Sequence, residues 1–159
     1  MLLKTLVLGL GNPILTDDGV GVKVAEAVRV ALPPDSAIEV SEVSVGGLRL
    51  MERVIGYDRV ILIDAMAYQS SGAREPGTVH RMTLEDLRQI SPTQHSASAH
   101  DTSLITALEM GHHMGLSLPK EFIIYAVEVE NITDFGNEPT PAVAAAIPEV
   151  TAAVLADLA

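Results

Sequence analysis

Residues 5–21, Thr5-Leu6-Val7-Leu8-Gly9-Leu10-Gly11-Asn12-Pro13-Ile14-Leu15-Thr16-Asp17-Asp18-Gly19-Val20-Gly21, decide the fold. The charge-free run Leu6 to Leu8 reads as a strand buried on both faces. Gly9-Leu10-Gly11-Asn12-Pro13 then turns the chain tightly, because glycine accepts backbone angles that other residues resist. Thr16, Asp17 and Asp18 supply short polar side chains suited to capping a helix over Val20 to Leu32. Carboxylates therefore stand at the carboxyl end of a central strand, where open α/β sheets place their ligand sites.

Working outward, Pro33-Pro34-Asp35-Ser36 interrupts the helical pattern, and Ile38 to Val45 resumes as a strand closed by Gly46-Gly47. Leu48, Leu50, Met51, Val54 and Ile55 recur at helical spacing up to Gly56. Val60-Ile61-Leu62-Ile63-Asp64-Ala65 is a second charge-free strand, with its first acid at the carboxyl end. Tyr68 to Gly77 reads as a loop, Thr78 to Met82 as a short strand, Thr83 to Leu87 as a short helix and Ser91 to Ala99 as a surface loop. His100 precedes Asp101-Thr102-Ser103, which suit the cap of a helix carrying Leu104, Ile105 and Leu108. Phe122 to Glu130 is a last long strand, and Ala142 to Leu158 a helix with a small, aliphatic face. Five strands alternating with helices predict a three-layer α/β/α sandwich around a twisted, mostly parallel five-stranded sheet, over one domain spanning residues 1–159.

Composition narrows the function classes. The chain of 159 residues is 48% hydrophobic with only 3% aromatics, which suits aliphatic α/β packing. A net charge of −11 argues against a nucleic-acid partner, since that binding neutralises phosphates with Lys and Arg. It is compatible with a basic peptide partner. With no cysteine there is neither a disulfide framework nor a thiol nucleophile. The apolar start, Met1 to Leu10, is short and lacks a small-residue cleavage site, so it reads as a strand. No segment reads as a membrane span, and a cytoplasmic protein is expected.

The sheet's carboxyl edge collects Asp17, Asp18, Asp64, Glu128 and Glu130, with His100 at a nearby helix start. Two carboxylates and one imidazole from separate loops suit zinc, nickel or iron and leave positions open for water or substrate. A metal so held polarises a carbonyl and acidifies water, as amide hydrolysis requires. On the residues alone, Asp17 or Asp18 equally reads as a helix cap and Asp64 as the end of a strand. Glu128 and Glu130 stand as second-line candidates that also read as a strand end, while His95, His112 and His113 read as solvated or packed. No Gly-x-Ser-x-Gly elbow is present, and Gly9-Leu10-Gly11 lacks the third glycine of a dinucleotide site, position 14 being Ile14.

Leu8 to Gly21 resembles the signature Gly-x-Gly-Asn, four residues, Asp-(Asp/Glu)-Gly-x-Gly of the [NiFe]-hydrogenase maturation endopeptidases. Ile61 to Ala65 resembles that family's second acidic strand end, and Ala99-His100-Asp101 its histidine motif. Gly136 to Pro148 resembles its C-terminal motif, Gly-x-x-(Leu/Pro)-(Ser/Thr)-Pro-x-Val. The resemblance implies a cytoplasmic endopeptidase that removes a short C-terminal extension from a hydrogenase large-subunit precursor after nickel insertion. It further implies that Asp18, Asp64 and His100 are the metal-binding and catalytic residues, with nickel carried by the precursor and other divalent metals fitting the same donors. Neither a nucleic acid nor a membrane belongs to that reading. One departure stands out: many members carry an acid before the paired glycines, where this chain has Ser44-Val45-Gly46-Gly47. That hints at a subgroup with a different target hydrogenase.

Two rival readings are weaker. Val7 to Pro13 is also similar to the opening of the peptidyl-tRNA hydrolases, but the similarity stops at Pro13, and the acidity of the chain would repel RNA. A non-catalytic, metal-responsive binding module on the same fold is the other, since fold alone does not fix activity.

Overall fold

The computed structural model describes residues 2–44, 48–66, 75–90 and 99–159, with the side chains of 48, 90 and 99–104 outside that description. The expected loops over 68–74 and 91–98, and the turn at Val45-Gly46-Gly47, also lie outside the described residues.

The elements run β1 (Thr5–Leu10), a 3-10 turn (Thr16–Gly19), α1 (Val20–Ala31), β2 (Glu39–Val43), α2 (Leu48–Val54), β3 (Arg59–Met66), β4 (Val79–Met82), α3 (Leu84–Ile90), α4 (Ala99–His113), β5 (Glu121–Glu128) and α5 (Pro141–Leu158). The sheet order is β2-β1-β3-β5-β4. β1 pairs in parallel with β2 and β3, and β3 with β5, while the edge strand β4 runs antiparallel to β5. The expected five-stranded, mostly parallel α/β/α sandwich is present, and all six residues of β1 are buried as its unbroken apolar run predicts.

Strand alternation divides the core into two layers. Leu6, Leu8, Leu10, Val60, Leu62, Met66, Phe122 and Ile124 face α2, α3 and α4, meeting Leu50, Val54, Leu87 and Leu108. Val7, Ile61, Ile63, Ile123, Tyr125 and Val127 face α1 and α5, meeting Val20, Val24, Val28, Val143, Val150 and Val154. α5 corrects the expectation about membrane spans, because its 18 residues are long and apolar enough to cross a membrane by length and composition. Its valines instead fill the second layer of the core. α5 also continues through Pro148, which can donate no backbone hydrogen bond to the preceding turn.

Boundaries differ modestly from the sequence pattern. β2 stops at Val43, two residues short, and β5 stops at Glu128, also two residues short. β3 runs to Met66, so Asp64 lies within the strand instead of terminating it.

Candidate functional site

The turn after β1 is shaped by glycines that no other residue can replace. Gly11 has φ +142, and a Cβ there would sit 2.0 Å from the Asp18 carbonyl oxygen. Gly21, in the first turn of α1, lies so close to the sheet that a Cβ would meet the Ile63 carbonyl oxygen at 2.3 Å. Ile63 immediately precedes Asp64, so this contact draws the first turn of α1, just after Asp18, against the stretch of β3 that carries Asp64.

Asp17 and Asp18 do not cap α1. The N-cap position is Gly19, with no side-chain cap bond. The acids are spent otherwise, because the intervening 3-10 turn points them in different directions. Asp17 is 0% exposed. Its Oδ2 accepts from the backbone N–H of Glu130 at 3.1 Å and of Asn131 at 3.0 Å. Its Oδ1 accepts from the Thr140 N–H at 2.7 Å, and the Thr140 hydroxyl donates to both oxygens at 2.9–3.0 Å. Thr140 is the N-cap residue of α5 yet makes no side-chain bond to its own helix, because its hydroxyl is given to Asp17. Asp17 is therefore a buried staple joining the first turn to the start of the last helix.

Asp18 is half-buried, and its Oδ2 accepts one hydrogen bond, from the Asn12 N–H at 2.9 Å. This bond orients the carboxylate while leaving most of its lone-pair capacity for a ligand. Asp64 is 2% exposed, and its Oδ1 accepts from the Ala65 N–H at 2.8 Å. It alternates with Leu62 and Met66, which places it on the sheet face covered by α4.

His100 lies inside the first turn of α4 and not before the helix, since α4 already begins at Ala99. Its side chain is outside the described residues, but the course of α4 fixes where the backbone stands. His112 and His113, at the C-terminal end of α4, line a cavity of about 370 Å³ with Leu118 and Phe122, at the start of β5. Leu108, midway along α4, packs in the same core layer as Met66. From His112 to His100 the helix climbs about 18 Å. From Phe122 to Glu128 the strand covers about 20 Å. His100 thus stands about as far from His112 along the helix as Glu128 stands from Phe122 along the strand.

Glu128, the last residue of β5, shares that face and is the register partner of Met66. Its Oε1 lies 3.2 Å from His80 Nε2, and its Oε2 accepts from the Glu75 N–H at 3.2 Å. The sequence pattern gave no sign of this pairing, because it depends on β4 aligning antiparallel with β5. Glu130 is exposed, and only its backbone N–H takes part, at Asp17. Among the described residues no three His, Asp or Glu side chains converge to hold an ion. Asp18 and Asp64 offer two carboxylates, and His100 would add the nitrogen donor of a set suited to nickel or zinc.

Comparison with known proteins identifies the family. A family model described as HycI, hydrogenase maturation protease, matches residues 4–157. The hydrogenase 2 maturation protease of Escherichia coli is 29% identical, with 98% of this chain and 91% of that protein covered. The hydrogenase expression/formation protein HupD of Thiocapsa roseopersicina is 27% identical over 87% of this chain, which spans 60% of that relative's length. Among solved structures, the hydrogenase maturating endopeptidase HybD of E. coli superposes with a TM-score of 0.81 at 29% identity, covering 98% of this chain and 91% of that one.

Proposed function

Since the chain belongs to the hydrogenase maturation protease family, whose members hydrolyse a peptide bond, we propose that it removes the C-terminal extension of a [NiFe]-hydrogenase large-subunit precursor once nickel is in place. The nickel is part of the substrate. Asp18, Asp64 and His100 would hold it from the protease side, with Asp18 set by the Asn12 N–H and Asp64 by the Ala65 N–H. When bound, such an ion polarises the neighbouring carbonyl and lowers the pKa of coordinated water. The protein's own part is to present the carboxylates of Asp18 and Asp64, each set by its N–H, with His100 as the third donor, so that the scissile peptide is oriented before reaction. The cleavage is aspartate-based in this reading, because the chain contains no cysteine and no serine elbow. A cytoplasmic setting, where the precursor receives its nickel, completes the proposal.

The observation that carries this reading is the different treatment of two neighbouring acids. Asp17 is saturated by protein donors, whereas Asp18 is oriented by a single N–H at the end of β1. The test is to incubate the protein with nickel-loaded and nickel-free large-subunit precursor and to follow the mass of the precursor. Loss of the extension from the nickel-loaded form only is expected. An intact precursor in both cases would favour the binding-module reading.

A further inference from the structure

Two apolar side chains stand in water at the rim of the site on a backbone that is firmly held. Ile14 is 50% exposed and Phe135 is 84% exposed. Their loops are joined by a parallel bridge between Leu15 and Gly136, in which the Gly136 N–H donates to the Ile14 carbonyl at 2.9 Å and the Thr16 N–H to the Gly136 carbonyl at 3.1 Å. The Thr16 hydroxyl donates to the Asp134 carbonyl at 2.5 Å, and Asn131 Oδ1 accepts from the Asp134 N–H at 3.1 Å. In-register neighbours of a parallel pair lie side by side, so this bridge sets Ile14 next to Phe135.

The same loop fixes Asp18. Asn12 Oδ1 accepts from the Ile14 N–H at 3.1 Å, while the Asn12 N–H donates to Asp18 Oδ2. A continuous set of hydrogen bonds thus runs from the Phe135–Gly136 peptide through Ile14 and Asn12 to the Asp18 carboxylate. The surroundings are acidic. Asp134 and Glu138 are exposed beside Phe135, and no Lys or Arg occurs from Thr5 to Val22 or from Glu121 to Ala159. Exposed apolar area on an ordered backbone beside a site is the usual form of a recognition surface.

We propose that Ile14 and Phe135 form a specificity platform that receives an apolar side chain of the precursor close to the scissile bond, with a Lys or Arg beside it drawn to Asp134 and Glu138. The proposal rests on the function given above. Both side chains are exposed, so their replacement leaves the core untouched. In steady-state cleavage of nickel-loaded precursor, the double variant Ile14→Ser/Phe135→Ser is expected to raise KM about tenfold or more, with kcat within about twofold of the parent. Phe135→Leu restores most of the affinity. Val30→Ser, which alters a 77% exposed valine near the far end of α1, changes neither constant. A double variant with the parent KM, or a loss matched by Val30→Ser, overturns the platform while wild-type cleavage leaves the proposed function standing. Absence of cleavage by the wild-type protein overturns that function instead, and the platform with it.

Discussion

Asp17 and Asp18 are chemically identical neighbours, yet the fold surrounds them with different partners. Asp17 faces the α5 side, where every one of its partners is protein and its carboxylate closes the contact between the first turn, the loop after β5 and the start of α5. Asp18 faces the carboxyl edge, with one N–H to orient it and capacity left over. The contrast extends to the layers behind them. The α1 and α5 layer is a continuous aliphatic core pinned by polar locks, whereas the α4 side of the sheet carries Asp64 and Glu128 toward the carboxyl ends of β3 and β5. Asp17, with its partners supplied by protein, holds the fold, and Asp18, oriented by one N–H, is the acid we propose for substrate.

Substitutions can break this contrast. Asp18→Ala is expected to lower cleavage of nickel-loaded precursor by about a thousandfold or more. The same change should alter stability by no more than about 1 kcal/mol, because a single hydrogen bond at a half-buried carboxylate is lost. Asp17→Ala should behave in the reverse way, costing about 3 kcal/mol in denaturant unfolding, because buried donors at Glu130, Asn131 and Thr140 lose their acceptor. Residual activity of that variant should track the folded fraction. If Asp17→Ala were fully stable but inactive, the roles of the two acids would have to be exchanged.

A smaller effect sharpens the view of the α5 side. Asp157, near the end of α5, accepts from Arg81 on β4 at 3.1 and 3.3 Å and from the Tyr125 hydroxyl on β5. Burial pushes its carboxyl up, but the hydrogen bonds from Arg81 and Tyr125 outweigh burial and hold it below the usual carboxylate range. A carboxylate lowered in the folded state adds stability above its unfolded pKa and loses it as pH falls through the folded value. Asp157→Asn should therefore cost about 0.5 kcal/mol at neutral pH, the half-exposed Arg81 being largely screened by water. The deficit should shrink in acid. Unfolding midpoints at neutral and acidic pH check this, and a deficit that grows in acid would contradict it.

Much of the fold was legible because its central strands carry unbroken apolar runs, Leu6 to Leu8 in β1 and Val60 to Ile63 in β3. β1 and β3 are buried on both faces, and the periodicity of α1 and α2 placed those helices nearly to the residue. What escaped depends on distant partners. The polarity of β4 is set by its pairing with β5, and the Glu128–His80 contact exists only once those strands align. Asp101-Thr102-Ser103 suggested a later start for α4, although the helix already includes Ala99 and His100. The pattern of residues could point to Asp17 or Asp18 as site or cap. It could not separate them, because the decision lies with Thr140, at the start of the last helix. Asp64 stood out for the opposite reason, as the first acid after the apolar run Val60 to Ile63.

The central claim is that Asp18, Asp64 and His100 together hold the nickel of the precursor. The most direct measurement is the mass of nickel-loaded precursor after incubation with the wild-type protein, with Asp18→Ala and with His100→Ala, each first shown to be folded at the assay temperature. The extension should be lost with the wild-type protein and retained with both variants. Wild-type rates of cleavage by folded His100→Ala and Asp18→Ala would contradict the account, and would place the chemistry elsewhere on the same edge of the sheet.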